Sequence, residues 1–335
     1  MRNDLSRRAV LAAGGALALT AVAGARPIRH VPVVKAIRPS RATPPPTSRQ
    51  RSNSIAGRRG ALLLLPGVYP VAGTLYVRAS ATVLRGVGDD PSSNSIIKAT
   101  GNNPKERNVI VAGGGWTGEV PGTRTEITTG FVQVGSREFE VANPGDLRPG
   151  DNIVITHPCT EEWLKAIDYG GHDVGPPWKA GEHPIIYNRY IRDISGNVVK
   201  IDVPVFNHLN RAHATSFLYK WDRAGLVTNV GVERLRVDIE YHGDPEQDED
   251  HAYNAIVLLR TEDSWVRDCT MLHFTQAGVS TQETPRATVE NCRAIDPVSI
   301  VTGSRRYNFN TYVYSQQVLF RDCHAYKARH GCDCG

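Results

Sequence analysis

Beyond residue 25 the chain has no apolar run long enough to cross a bilayer, which takes about 20 residues, so the rest of it is expected to carry no membrane span. No amphipathic helical stretch separates its short apolar runs. That leaves a sandwich, a barrel or a solenoid. Cysteine is sparse, six in 335 residues. Cys332-Asp333-Cys334 has no second Cys or His pair at metal spacing, and Cys159 stands alone, so no zinc is expected. The folded body also lacks a basic excess. Twelve of the 39 Lys and Arg, but only one of the 34 acids, lie in the first 60 residues. The other 275 residues hold 27 basic and 33 acidic side chains, a net of −6. A nucleic-acid binder would show the opposite sign on its folded domain.

What is present begins with an export signal. Arg7-Arg8 precede an apolar stretch from Ala9 to Ala23, and Ala23-Gly24-Ala25 is a small-residue cleavage site. The paired arginines point to the twin-arginine route. The protein is therefore expected outside the cytoplasm, as a monomer. Residues 26–60 are rich in Arg, Pro and Ser, including Pro44-Pro45-Pro46, and read as a disordered linker.

From residue 61 the texture changes. Ala61-Leu62-Leu63-Leu64-Leu65 closes on Pro66-Gly67, and Thr74-Leu75-Tyr76-Val77 and Thr82-Val83-Leu84-Arg85-Gly86 follow at close spacing. Val266-Arg267-Asp268-Cys269, Val289-Glu290-Asn291-Cys292 and Phe320-Arg321-Asp322-Cys323 repeat one pattern, with cysteines 23 and 31 residues apart. Val232-Glu233-Arg234-Leu235 is an earlier copy with Leu in the Cys slot. Periods of this length mean stacked coils that share a core. Cys269, Cys292 and Cys323 then form an inward ladder of free thiols packing as small apolar groups. Between the coils, residues 131–220 read as a small β insertion, with a hairpin across Ser195-Gly196-Asn197. Its loop at 157–189 holds His157, Trp163, Asp168, Tyr169, His172, Trp178, His183 and Tyr187. These rings either stack on sugars or fill the insertion's own core; Trp178, after Gly175-Pro176-Pro177, leans toward a binding surface.

Leu65-Pro66-Gly67-Val68-Tyr69 and Val83-Leu84-Arg85-Gly86-Val87-Gly88 resemble the opening coils of pectate-lyase-like right-handed parallel β-helix proteins. Asp248-Glu249-Asp250-His251, the V-x-D/N-C coils and Thr302-Gly303-Ser304-Arg305-Arg306-Tyr307 look like a bacterial branch of that group. The likeness covers about residues 61–330. It implies an all-β solenoid and a polysaccharide ligand, and it leaves the chemistry open. Two departures stand out. The Arg/Pro/Ser segment replaces the usual Gly-Asp-Gly…Asp-Asp-Thr segment and capping helix ahead of the opening coils, and Gly331-Cys332-Asp333-Cys334-Gly335 follows at once on Arg329-His330. Both segments are expected to be frameshifted and the solenoid incomplete at each end.

Elimination on a uronic acid needs a base, an acid for the leaving oxygen and a cation or donors for the developing charge. The candidates lie at equivalent points of successive coils: His273 or Tyr307 as base or acid, and Arg305 or Arg306 on the substrate carboxylate. His251, Trp178, Arg329 and His330 are expected substrate contacts. Asp248 and Asp250 could hold Ca²⁺ on oxygen ligands. Other functions stay open: an inverting glycoside hydrolase, for which no carboxylate pair stands out, and a non-catalytic glycan-binding solenoid or inactive fragment.

Overall fold

The computed structural model describes residues 33–38, 59–90, 94–101, 107–115, 117–171, 176–312 and 314–334. The stretch read as a signal peptide, most of the 26–60 segment and His172 lie outside them. The chain from Gly60 on is a right-handed parallel β-helix. Three parallel sheets run its length. The first stacks Val33–Ile37, Gly60–Leu64, Thr82–Arg85, Gly231–Glu233, Ser264–Arg267, Pro285–Glu290 and Gln316–Arg321. The second stacks Gly67–Val71, Ser95–Ala99, Arg236–Ile239, Thr270–Leu272, Arg293–Ile295 and His324–Ala325. The third stacks Leu75–Val77, Asn108–Gly113, Asn254–Leu259, Ala277–Gln282, Tyr307–Tyr312 and His330–Cys334. One strand from each sheet makes a coil. Six coils follow, numbered here 1 to 6 from Gly60.

The repeated four-residue pattern encodes the corner between the first and second sheets. In Val266-Arg267-Asp268-Cys269 the Val points into the core, the Arg points out and the Cys points in again at the start of the next strand. The corner residue between them takes the left-handed conformation, with φ of 54°, 52°, 50° and 53° at Arg234, Asp268, Asn291 and Asp322. Asp and Asn tolerate that region because their short polar side chains bond locally; Asn291 donates to Asp268 at 2.7 Å. The cysteines are free, and Cys269 and Cys292 are fully buried among Val232, Val266 and Val289. Each thiol donates to a carbonyl of its own corner, as Cys269 does to Arg267 at 3.2 Å. Contact with Cys269 and burial both push the Cys292 thiol up, which keeps it inert.

The segments expected to lie out of frame are in register where they are described. Val33–Ile37, inside the stretch read as disordered, pairs in parallel with Gly60–Leu64. His330–Cys334 pairs with Tyr307–Thr311, setting Cys332 against Phe309 and Asp333 against Asn310. The alternation of that short tail, with Cys332 in the inward slot, satisfies a β coil even though its composition does not advertise one.

Between coils 2 and 3 the chain leaves the solenoid and builds an antiparallel sheet. Its order is Glu138–Glu140, Val198–Ile201, Ile185–Ser195, Asn152–His157, Phe217–Asp222, Gly118–Glu119, so antiparallel pairing begins upstream of residue 131. Ser195 pairs with Val198 across a two-residue turn in which Gly196 takes φ 58°. A second apolar core, including Phe139, Ile153, Ile155, Tyr187 and Leu218, sits on one face. The loop after His157 contains a helix absent from the sequence reading, Glu161–Ala166, whose first turn is capped by the Thr160 hydroxyl. The insertion leans forward over later coils: Tyr190 and Arg223 bond Glu262, and Asn188 and Arg189 bond Gln316.

Candidate functional site

The outward side chains of the second sheet form two rows along the solenoid. By strand register the first row reads Val68, Ile96, Arg236, Thr270, Arg293, His324, and the second reads Pro70, Lys98, Asp238, Leu272, Ile295. The inward alternates Ile97, Val237, Met271 and Ala294 are in the core. The alternation of Arg236-Val237-Asp238-Ile239 fixes which side chains face out.

His273 sits just past the end of this sheet in coil 4, at φ 61°. Its backbone N–H donates to Asp296 of the next coil at 3.2 Å, and its ring turns back to coil 3. There His273 Nδ1 lies 3.0 Å from Asp238 Oδ1. Lys98 Nζ of coil 2 reaches the same oxygen at 3.1 Å. All three side chains are partly open to solvent. Burial pushes the Asp238 carboxyl up, but the hydrogen bonds from His273 and Lys98 outweigh it and hold it below its ordinary value. An ionised Asp238 fixes His273 with the proton on Nδ1, which leaves Nε2 as a proton acceptor. Among the described residues no protein group bonds Nε2. The Tyr241 ring stands 5.0 Å from the imidazole. Arg236, on the same strand and face as Asp238, and Arg293 two coils on, have no acidic partner among the described residues. Between them Thr270 is buried and donates to Asp89 at 2.7 Å. The face thus offers an oriented imidazole, a nearby phenol and two free guanidiniums.

The other sequence candidates fall elsewhere. Arg305, Arg306, Tyr307, Arg329 and His330 do come together, around the turn into the third sheet of coils 5 and 6, where the Arg306 N–H donates to the Thr275 carbonyl at 2.9 Å. Arg305 is not free to hold a substrate carboxylate: it pairs with Glu249 through two nitrogens and donates to Tyr253 Oη at 2.7 Å. Arg306 is 5% exposed, bonded to Glu246 at 2.8 Å and to the Ser299 carbonyl. These arginines tie the loop at 296–306 to the loop at 240–253, which is a structural role. Tyr307 Oη accepts from Arg329 at 2.9 Å and from the Ser304 N–H at 3.0 Å, and the His330 ring meets Tyr307 edge-on at 5.1 Å.

His251 is a core histidine, 1% exposed, with its ring nitrogens 3.1 Å from the Ala252 and Val298 carbonyls. Burial pushes its pKa down, and it cannot touch a polymer outside. Trp178 packs within its own loop. Its ring is 4.2 Å from that of His183 and presses on Gly170, where an added methyl would come within 2.7 Å of the indole. The side chain is still 38% exposed. Asp248 spends its carboxylate oxygens on the His242 and Asp250 N–H groups, at 2.7 and 2.8 Å. Among the described residues no three His, Cys, Asp or Glu converge as a metal site.

Sequence reasoning named His273 but not the Asp238, Lys98 and Tyr241 around it, nor Arg236 and Arg293. Asp238 and His273 are 35 residues apart, and only coil register brings them together.

No family model matches the chain, and no curated protein matches it. Solved structures similar to it include the tailspike protein gp49 from Pseudomonas phage LKA1, 16% identical with a TM-score of 0.46 over 84% of this chain and 38% of that one. The tailspike gp61 from Pseudomonas phage phi297 is 12% identical, with a TM-score of 0.43 over 82% and 41%. PfbA, a surface adhesin of Streptococcus pneumoniae, is 9% identical, with a TM-score of 0.36 over 80% and 37%. The chain thus spans less than half of each. Among the described residues no helix is long and apolar enough to cross a membrane.

Proposed function

We propose that this chain acts on a uronate-containing polysaccharide outside the cytoplasm and cleaves it by β-elimination on the outer face of the second sheet. The observation that carries the reading is the His273–Asp238 pair, a 3.0 Å hydrogen bond that leaves Nε2 open, with the unpaired Arg236 on the strand that carries Asp238. His273 Nε2 takes the proton on the carbon next to the uronate carboxylate. The electron pair of that C–H bond becomes the ring double bond and expels the glycosidic oxygen. The Tyr241 hydroxyl protonates the leaving oxygen, and solvent returns each group to its starting state. Arg236 holds the carboxylate, where charge builds up as the proton leaves.

A hydrolase reading has less support. Inversion needs two carboxyl groups roughly 6.5–9.5 Å apart across an open gap. On this face the Asp238 oxygen is shared by His273 and Lys98, and Asp268 is a corner residue bound to Asn291.

The test is to incubate the folded full chain with a panel of uronate polysaccharides and follow the ultraviolet absorbance of unsaturated sugar products. Absorbance should rise for at least one polymer and stay flat for His273→Ala. A flat trace across the whole panel overturns elimination and leaves a binding solenoid.

A further inference from the structure

The proposed reaction does not say which uronate polymer fits, and the charge pattern along the first outward row does. Successive coils are one strand spacing apart, about 4.8 Å. Arg236 in coil 3 and Arg293 in coil 5 are therefore roughly 9.5 Å apart along the axis. At coil 4, between them, Thr270 is buried and the surface is formed by Asp89 of the coil 2 loop, whose carboxylate accepts from the Thr270 hydroxyl at 2.7 Å. Read along the axis, the face is cationic, anionic, cationic. An extended sugar chain advances by about one strand spacing per residue, so a polymer lying along the axis meets these positions with consecutive sugars.

We infer that this face selects a polyanion whose carboxylates recur on every second sugar, with an uncharged sugar between them. The inference rests on the glycan-acting reading above. A uronate over coil 3 meets Arg236 and lies beside the His273 ring, which leans toward that coil through Asp238. The next uronate reaches Arg293. The sugar between them lies over Thr270 and Asp89, where a carboxylate would face Asp89. A homopolymer of uronic acid places a carboxylate-bearing sugar there in every register. An alternating polymer avoids it in the register that also satisfies both arginines. The same argument gives polarity to the site: the cleaved uronate is the one at coil 3, and Arg293 serves as a remote anchor.

The full chain carrying His273→Ala separates binding from cleavage. Its affinity is measured by calorimetry for two hexasaccharides, one all uronate and one alternating uronate with an uncharged sugar. The alternating ligand should bind at least about tenfold tighter, the worth of roughly 1.4 kcal/mol of like-charge contact. Adding Asp89→Asn should strengthen all-uronate binding and bring the two within about threefold. Adding Arg293→Ala should weaken the alternating ligand selectively, with thermal melting showing each variant folded. All-uronate binding that equals or exceeds alternating binding overturns the inference, as does a ratio untouched by Asp89→Asn in folded protein. If neither ligand binds, the second-sheet face is not the glycan site at all. If the ratio holds but wild type releases no unsaturated product, the selectivity stands and elimination falls.

Discussion

At the residue scale, one hydrogen bond decides whether His273 is a base or an ornament. Asp238 fixes the tautomer, so removing the carboxylate charge while keeping its shape is the informative change. Asp238→Asn should lower kcat by about 10²–10⁴-fold, the usual contribution of an oriented general base. The KM should move little, because Asp238 points at His273 and not at substrate. Equal kcat in the variant would remove the dyad from the mechanism. Arg305 makes the contrary case. Its pairing with Glu249 and Tyr253 is mostly buried, so Arg305→Ala takes the cation away from a mostly buried carboxylate, which keeps the Ser299 hydroxyl at 2.7 Å. It should cost about 1–3 kcal/mol of stability and lower the melting temperature, with kcat/KM within about threefold of wild type on the scale of surface-neutral changes. A large loss of kcat with unchanged melting would return Arg305 to the active site. The sequence could not separate these residues. His273 and Arg305 both follow coil strands in an extended-groove pattern, and what distinguishes them is a partner 35 or 56 residues away in the chain.

At the scale of elements, the coil corners were readable because four constraints fall on four consecutive residues: inward apolar, outward charged, left-handed, inward small. The outward position also carries a ladder visible only in register, Arg85, Glu233, Arg267, Glu290 and Arg321 on successive coils. Opposite charges on neighbouring strands stabilise pairing and register. The insertion was harder to read, since its loop aromatics look the same whether they face sugar or core. Among its buried titratable groups is His157, 1% exposed, bonded through Nδ1 to Ser216 at 2.7 Å. Burial, with His208 and His213 nearby, pushes its pKa down from 6.5 to about 4. In the unfolded chain the same imidazole takes a proton below about 6.5. The unfolded state therefore binds more protons between about pH 6.5 and 4, and stability falls as pH drops through that window. The loss is about 3 kcal/mol at most. Urea midpoints at pH 7 and pH 4.5 measure it, and His157→Gln should flatten the slope. An unchanged slope in that variant would assign the acid sensitivity to other groups.

At the scale of the whole molecule, the insertion and the solenoid are joined through buried charge. Glu262, 1% exposed, accepts from the Tyr190 hydroxyl at 2.7 Å, from Arg286 at 2.6 Å and from Arg223. Two of these donors, Tyr190 and Arg223, come from the insertion, while Arg286 belongs to coil 5. Arg223 also donates to Asn152 at 2.7 Å, so the seam continues into the insertion's own sheet. One carboxylate thus holds together two guanidiniums that would otherwise repel. Removing its charge leaves the two cations facing each other at a partly buried seam, with Arg286 still held by Asp263 at 2.9 Å, at a cost of about 1–3 kcal/mol. Glu262→Gln should destabilise the protein by about that amount, and the loss should appear first as local opening, because the solenoid core does not depend on this contact. Hydrogen exchange gives the test. Amides of Ile185–Ser195, which reach the coils through Asn188, Arg189 and Tyr190, should lose protection in the variant. Amides of Ser264–Arg267 and Thr270–Leu272 should keep theirs. Uniform loss of protection across both would mean that insertion and solenoid unfold as one unit, and that Glu262 supports the coils as much as the seam.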